Sequence, residues 1–278
     1  PMMIHSIVLV FCLASRVVAL NESRFLANYS YYSAVRIPRF LIPFEGNETS
    51  NWKDSSLSSA DEGRIRLDFN FSFYGHKEPH VWVDSNGFVT FWERSCPHNE
   101  PITQYCFWLT PSRWPVRFIA PFTSDFDPSA SNSSRVLYQF GTTNGRSRLA
   151  ITWWNVTLWN SGLVNGFTFQ LILFENGEII FSYLNLPSHP NYIRPKSFPA
   201  PYPIIIGIRD SPAVKISGKD YSSNNNAYGS VDLTFGDTSI DNSIQFIPRS
   251  TCRNAGSCDT CFPRSSGNLL CGWCEGAP

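Results

Sequence analysis

Residues 166–183, GFTFQLILFENGEIIFSY, restrict the fold more than any other stretch of this chain. Two apolar runs, 167–174 and 179–183, flank Glu175-Asn176-Gly177-Glu178. Asn-Gly favours the positive φ angles of a two-residue type I′ turn, whose twist matches that of the strands it joins. Phe, Ile and Tyr suit a pleated, half-buried surface, so the stretch predicts a β-hairpin. Residues 171–174 are apolar on both faces, which predicts a central strand covered on both sides.

The strands around that hairpin announce themselves by alternation. Ile65, Leu67, Phe69, Phe71 and Phe73 interleave with Arg64, Arg66, Asp68, Asn70 and Ser72. A period of two sets the apolar set on one face and the polar set on the other. Tyr74-Gly75-His76 ends the run. Residues 81–84 and 88–92 follow, linked by Ser85-Asn86-Gly87 as a second Asn-Gly hairpin. Further strands are expected over 118–122, 135–140, 148–158, 204–208 and 243–248, with 141–145 as a connection. About ten short strands with turns between them predict an all-β fold, an antiparallel β-sandwich. Twenty prolines and seventeen glycines fit that reading. Upstream, Pro38 and Pro43 exclude a central strand. Residues 20–62 are therefore expected as an extended arm packing on the domain, followed by a polar loop.

Charge and processing signals set the compartment. Lys+Arg and Asp+Glu number 22 each, so the formal net charge is zero, the basic footprint that phosphate backbones demand is missing, and no nucleic-acid partner is expected. The run 7–14 is too short to span a bilayer, and Val17-Val18-Ala19 puts modest residues before a cut. Residues 1–19 are expected as a signal peptide; a buried N-terminal strand is the alternative. N-x-S/T sequons stand at Asn21, Asn28, Asn47, Asn70, Asn132 and Asn155. Asn70 falls on the polar face of its strand and should point to solvent. Asn155, in a Trp-rich strand, is the one expected to stay unmodified.

In an oxidising compartment Cys96 and Cys106 most simply pair with each other, which stiffens a proline-bounded loop over 96–114 by about 2–3 kcal/mol in the chain-entropy view. Tyr105, Phe107, Trp108 and Trp114 make that loop either a contact surface or a cover for the sheet edge. Cys252, Cys258, Cys261, Cys271 and Cys274 crowd a segment too small to hold itself by a core. Cys258-x2-Cys261 and Cys271-x2-Cys274 have the spacing of zinc knuckles, but behind a signal peptide disulfides are favoured and no metal or cofactor is expected. Asp125-x-Asp127 offers two carboxylates for acid/base work, for calcium, or for turn fixing beside Pro128. His76, His80, His98 and His189 form no helical pair, and no nucleophile, metalloprotease or phosphate-loop motif is present. No catalytic residue is assigned.

These residues together resemble a known family. FNFSFYGH (69–76), SNGFVTF (85–91), RFIAPFTSDFDPS (117–129) and the 166–183 hairpin are similar to the nidogen-like region of the plexin domain-containing proteins. The tail C-x5-C-x2-C-x9-C-x2-C with Trp273 resembles the start of a plexin–semaphorin–integrin (PSI) module, and Tyr31-Tyr32 with Arg36 resembles a segment upstream of the domain. The resemblance runs in order over residues 30–278. It implies a nidogen-like β-sandwich over 63–249 and a PSI module over 250–278. It also implies a type I membrane glycoprotein, anchored by a helix further downstream, that binds extracellular or matrix proteins without enzymatic activity. It pairs Cys252 with Cys271, and Cys258, Cys261 and Cys274 with cysteines beyond Pro278, so that the chain stops inside the module. The 96–114 loop is richer in Cys and Trp than in vertebrate members, and no ligand site carries over to it. The alternatives are a secreted glycan-acting enzyme using Asp125 or Asp127, and a soluble matrix protein without an anchor.

Overall fold

The computed structural model describes residues 18–19, 31–43, 53–55, 62–91, 117–159, 166–186, 204–210, 214–216, 220–222, 229–233 and 235–249. In chain order the first strands are β1 (Val18–Ala19), β2 (Tyr32–Pro38), β3 (Lys53–Asp54), β4 (Glu62–Phe73), β5 (His76–Asp84), β6 (Phe88–Thr90), β7 (Arg117–Ala120) and β8 (Phe126–Asp127). There follow β9 (Arg135–Thr143), β10 (Arg146–Leu158), β11 (Phe167–Phe174), β12 (Ile179–Asn185), β13 (Ile206–Asp210), β14 (Val214–Ile216), β15 (Asp220–Ser222), β16 (Gly229–Leu233) and β17 (Asn242–Pro248). A 3-10 turn at Phe235–Asp237 is the helical element among the described residues.

Two antiparallel sheets carry the architecture. One runs β1-β2-β17-β12-β11-β10-β9-β3, with β8 paired to β10; the other runs β16-β13-β7-β6-β5-β4. Their inner faces form one core. Ile65, Phe71, Phe73, Val81, Val83, Val89 and Ile119 come from the six-stranded sheet, and Ile151, Trp153, Phe169, Leu171, Leu173 and Phe181 from the nine-stranded one. This is the expected all-β sandwich. The alternation over 64–73 holds as read: Ile65, Leu67, Phe71 and Phe73 are buried, while Arg64, Arg66, Asp68 and Asn70 are exposed. Phe69 is half-buried, inside a register shift where β4 gains residues over β5 opposite Pro79, which has no N–H to offer.

The two-residue turn expected at Asn176-Gly177 is a correction. The Phe174 carbonyl accepts from Gly177 N at 2.9 Å and Phe174 N donates to Glu178 O at 3.0 Å. Of the Asn-Gly pair only the glycine, at φ 88°, is left-handed. That is a three-residue loop closing in a glycine bulge. Ser85-Asn86-Gly87 behaves alike, with Gly87 at φ 86°. The two-residue turns with both residues at positive φ are Tyr74-Gly75, between Phe73 and His76, and Asn144-Gly145, between Thr143 and Arg146.

A second correction concerns the arm. Tyr32–Pro38 is a strand in register with β17, from Tyr32 opposite Pro248 to Pro38 opposite Asn242. Pro38 is its last residue, so its missing N–H interrupts nothing further along. Beyond it the chain crosses the outer face of the nine-stranded sheet. Thr152, Gln170 and Ser182 are cross-strand neighbours on β10, β11 and β12, and Ser243 on β17 lies beside Ser182 at 2.8 Å. This polar row reads the backbone of the crossing segment. Gln170 Oε1 accepts from Ile42 N at 2.8 Å, Gln170 Nε2 donates to Ile42 O at 3.1 Å and to Thr152 Oγ1 at 2.9 Å, and Phe40 N donates to Ser243 Oγ at 2.9 Å. Ile42, with Ile37 and Phe40 beside it, then covers Ala150, Ile172, Phe174 and Ile180. Hence every residue of β11 is buried, as expected of a strand covered on both sides.

Candidate functional site

The two ends of the sandwich are built differently. At one end the chain leaves β6 at Phe91 and returns at Arg117, and Thr90 and Phe118 are paired neighbours. Arg117 braces this stem. Its guanidinium lies 2.7 Å from Glu78 on β5 and 2.8 Å from Asp210 on β13, and it sits over the rings of Phe73 and Phe91 at 5.8 and 5.2 Å. All three charged side chains are largely buried, where opposite charges interact strongly only if held in good geometry. Beside them Tyr31, Tyr32, Phe73 and Tyr74 pack ring on ring with centroids 4.8–6.0 Å apart. Burial, and then the neighbouring Tyr74 and Tyr31, push the Tyr32 hydroxyl well above its ordinary pKa. That packing holds Tyr74 at φ 49°, an uncommon angle for a bulky residue. Arg249 N donates to Tyr31 O at 2.7 Å, so the chain leaves the last strand at this same end.

The opposite end holds Asp125 and Asp127. Here the 84–87 turn is buried against residues 121–126. Asp84 Oδ1 accepts from Asn86 N, Asn86 Oδ1 accepts from Phe126 N at 2.9 Å, and Trp153 Nε1 donates to Asp84 O at 3.0 Å. Asp127 fixes its own turn, its Oδ1 accepting from both the backbone N–H and the hydroxyl of Ser129. This is the turn chemistry that Asp-Pro anticipates. Asp125 differs: desolvation first, and the Asp127 charge second, raise its carboxyl to about 6. The structure brings the two acids close enough to feel each other, and among the described residues no group of three His, Cys, Asp or Glu gathers as a metal site.

Of the sequons, Asn70 and Asn132 are exposed. Asn155 sits at φ 49° where β10 bulges against β11. Its side chain donates to Ser133 Oγ at 2.7 Å and accepts from Gly166 N at 3.2 Å, so its amide already has structural work. Asn21, Asn28 and Asn47 lie outside the described residues. So do Cys96, Cys106, Cys252, Cys258, Cys261, Cys271, Cys274, Tyr105, Phe107, Trp108 and Trp114. The Arg117 stem and the Gln170 row were not singled out in the sequence. Arg117 carries one faint signal, a charge opening an apolar run.

A two-sheet sandwich of this kind, with polar turns buried at one end and a braced loop stem at the other, defines an all-β domain of two packed antiparallel sheets. The NIDO related family model matches residues 42–250, three quarters of the chain, and the chain belongs to that nidogen-related family. The match begins within the segment that crosses the sheet and ends just past β17, so β2 lies upstream of it. No solved structure matches. A nidogen-related domain is consistent with an extracellular setting. Among the described residues no helix is long and apolar enough to cross a membrane.

Proposed function

We propose that this chain is the ligand-binding or adhesive ectodomain of a type I membrane glycoprotein, with secreted or matrix proteins as partners and no turnover of substrate. One observation carries the reading. Arg117 ties Glu78, Asp210, Phe73 and Phe91 into a rigid base at the roots of residues 92–116, a stretch that holds Trp92, Tyr105, Trp108 and Trp114 beside Cys96 and Cys106. Loops on a stiff scaffold are where recognition concentrates, and a preset base lowers the ordering cost of binding. Exposure of Asn70 and Asn132 supports glycosylation in the secretory pathway. The cysteine-rich tail is taken as the start of a PSI module, with Cys252 joined to Cys271, Cys96 joined to Cys106, and Cys258, Cys261 and Cys274 paired further downstream. Attachment to the membrane rests on a later segment of roughly 20 apolar residues.

The test displays the whole protein on cells and measures capture of labelled matrix proteins. Replacing Tyr105, Phe107, Trp108 and Trp114 by Ser is expected to abolish capture while leaving surface display intact. Unchanged capture would remove the loop from the site, and an unglycosylated cytosolic product would end the extracellular reading. A second reading, a secreted glycan-acting enzyme, draws on the raised carboxyl of Asp125. It requires hydrolysis of some glycan that Asp125→Asn abolishes.

A further inference from the structure

The outer face of the six-stranded sheet bears an unusual grouping of cations on β4 and β5. Arg64 is opposite Trp82 and Arg66 is opposite His80. The Arg64 guanidinium lies 5.7 Å over the Trp82 ring, with its Nη2 2.8 Å from His80 Nε2. Lys77, opposite Ser72, is exposed on the same face. Elsewhere among the described residues arginines are found beside carboxylates. Arg36, Arg117, Arg135 and Arg146 each face a carboxylate: Asp237, Glu78 with Asp210, Asp54 and Glu178. Arg64 and Arg66 face none among the described side chains, and Asp68, two residues along from Arg66, shares their exposed face. Desolvation, then the charges of Arg64 and Arg66, hold His80 below its ordinary pKa, in keeping with its Nε2 accepting from Arg64.

We propose that this exposed half-face, Arg64, Arg66, Lys77 and His80 around Trp82, binds a sulfated polysaccharide. The proposal rests on the extracellular reading and names one class of matrix ligand for it. Three features fit the chemistry. Strand geometry sets Arg64 and Arg66 about 6.5–7 Å apart along the exposed face of β4, with His80 opposite Arg66 able to take up a proton beside a polyanion, a spacing suited to successive sulfates of a linear chain rather than to one small anion. Arg64 is held in place by its stack on Trp82, so it loses little freedom on meeting a sulfate. The chain as a whole has no net charge, so a polyanion would be drawn by local groupings such as this one rather than by an overall field.

The experiment measures binding of the full secreted protein to immobilised heparin at several salt concentrations, beside the double variant Arg64→Gln/Arg66→Gln. Both positions are exposed, and matching thermal unfolding curves certify that the variant folds. The expected result is salt-sensitive binding that weakens about tenfold or more in the variant, with the slope of log affinity against log salt reduced by about two, one per lost cation. His80 should also titrate at higher pH once heparin is bound. Equal binding by variant and native protein overturns the proposal, as does equal binding to desulfated heparin, single-stranded DNA or phosphatidylserine vesicles. Failure to bind heparin by a protein that is glycosylated and secreted sinks this inference alone; failure to be secreted sinks the reading beneath it.

Discussion

At the scale of single residues, backbone conformation and burial make the sharpest demands. Gly87 lies at φ 86°, and a Cβ there would stand 2.0 Å from the Phe122 carbonyl oxygen. Gly145 has φ 77° but nothing within 4 Å of a Cβ. Gly145→Ala should therefore cost about 1–2 kcal/mol, the left-handed penalty alone, whereas Gly87→Ala should cost more than about 3 kcal/mol or prevent folding. Urea unfolding of the two variants side by side checks the gap. Asp125 yields a pH signature. Its carboxyl is raised to about 6 in the folded chain, so the folded state holds the proton more tightly than the unfolded chain. The stability this contributes is full below about pH 4 and is lost as pH rises through 6. Asp125→Asn should thus stabilise the protein by about 1 kcal/mol at pH 7.5, a figure reduced for solvent screening of a half-buried group. The advantage should vanish near pH 4, as paired thermal melts would show.

Among the elements, the segment lying across the nine-stranded sheet is held by its amides rather than by its side chains. Gln170→Leu keeps the bulk but strands the Ile42 N–H and C=O, both bonded to Gln170 in a buried position. A loss of about 2–3 kcal/mol is expected, with amide exchange at Ile42 accelerated well before that of β11. Unchanged protection at Ile42 would mean that Phe40 and the apolar contacts suffice. This device also marks the limit of legibility. Strands such as β4 and β11 could be read from the chain because alternation and apolar runs are local. The row Thr152, Gln170, Ser182 and Ser243 could not, because its members lie on four strands and meet only through register. Turn type is hidden from the local sequence for a related reason. Asn-Gly permits the two-residue turn, but at Asn176 the third loop residue and the approach of Gly177 to the Ser72 carbonyl select the bulged form. Asn144-Gly145, with Gly145 in open space, takes the form that the dipeptide favours.

For the molecule as a whole, the all-β class and the paired sheets were legible because so many short strands admit few other arrangements. The place of Tyr32–Pro38 inside the sheet was not. Two prolines within six residues, Pro38 and Pro43, argue locally against a strand, and only the partner β17, two hundred residues away, reveals that Pro38 merely ends one. The Arg117 brace was equally hidden, since Glu78, Arg117 and Asp210 come together from three distant strands. Its position has a mechanical corollary. The roots at Phe91 and Arg117 and the departure point at Arg249 are linked by a short relay of rings through Tyr31, Tyr74 and Phe73. Tension between whatever grips residues 92–116 and the segment after Arg249 would pass through that relay at one tip of the sandwich, leaving the ladders of the far end unloaded.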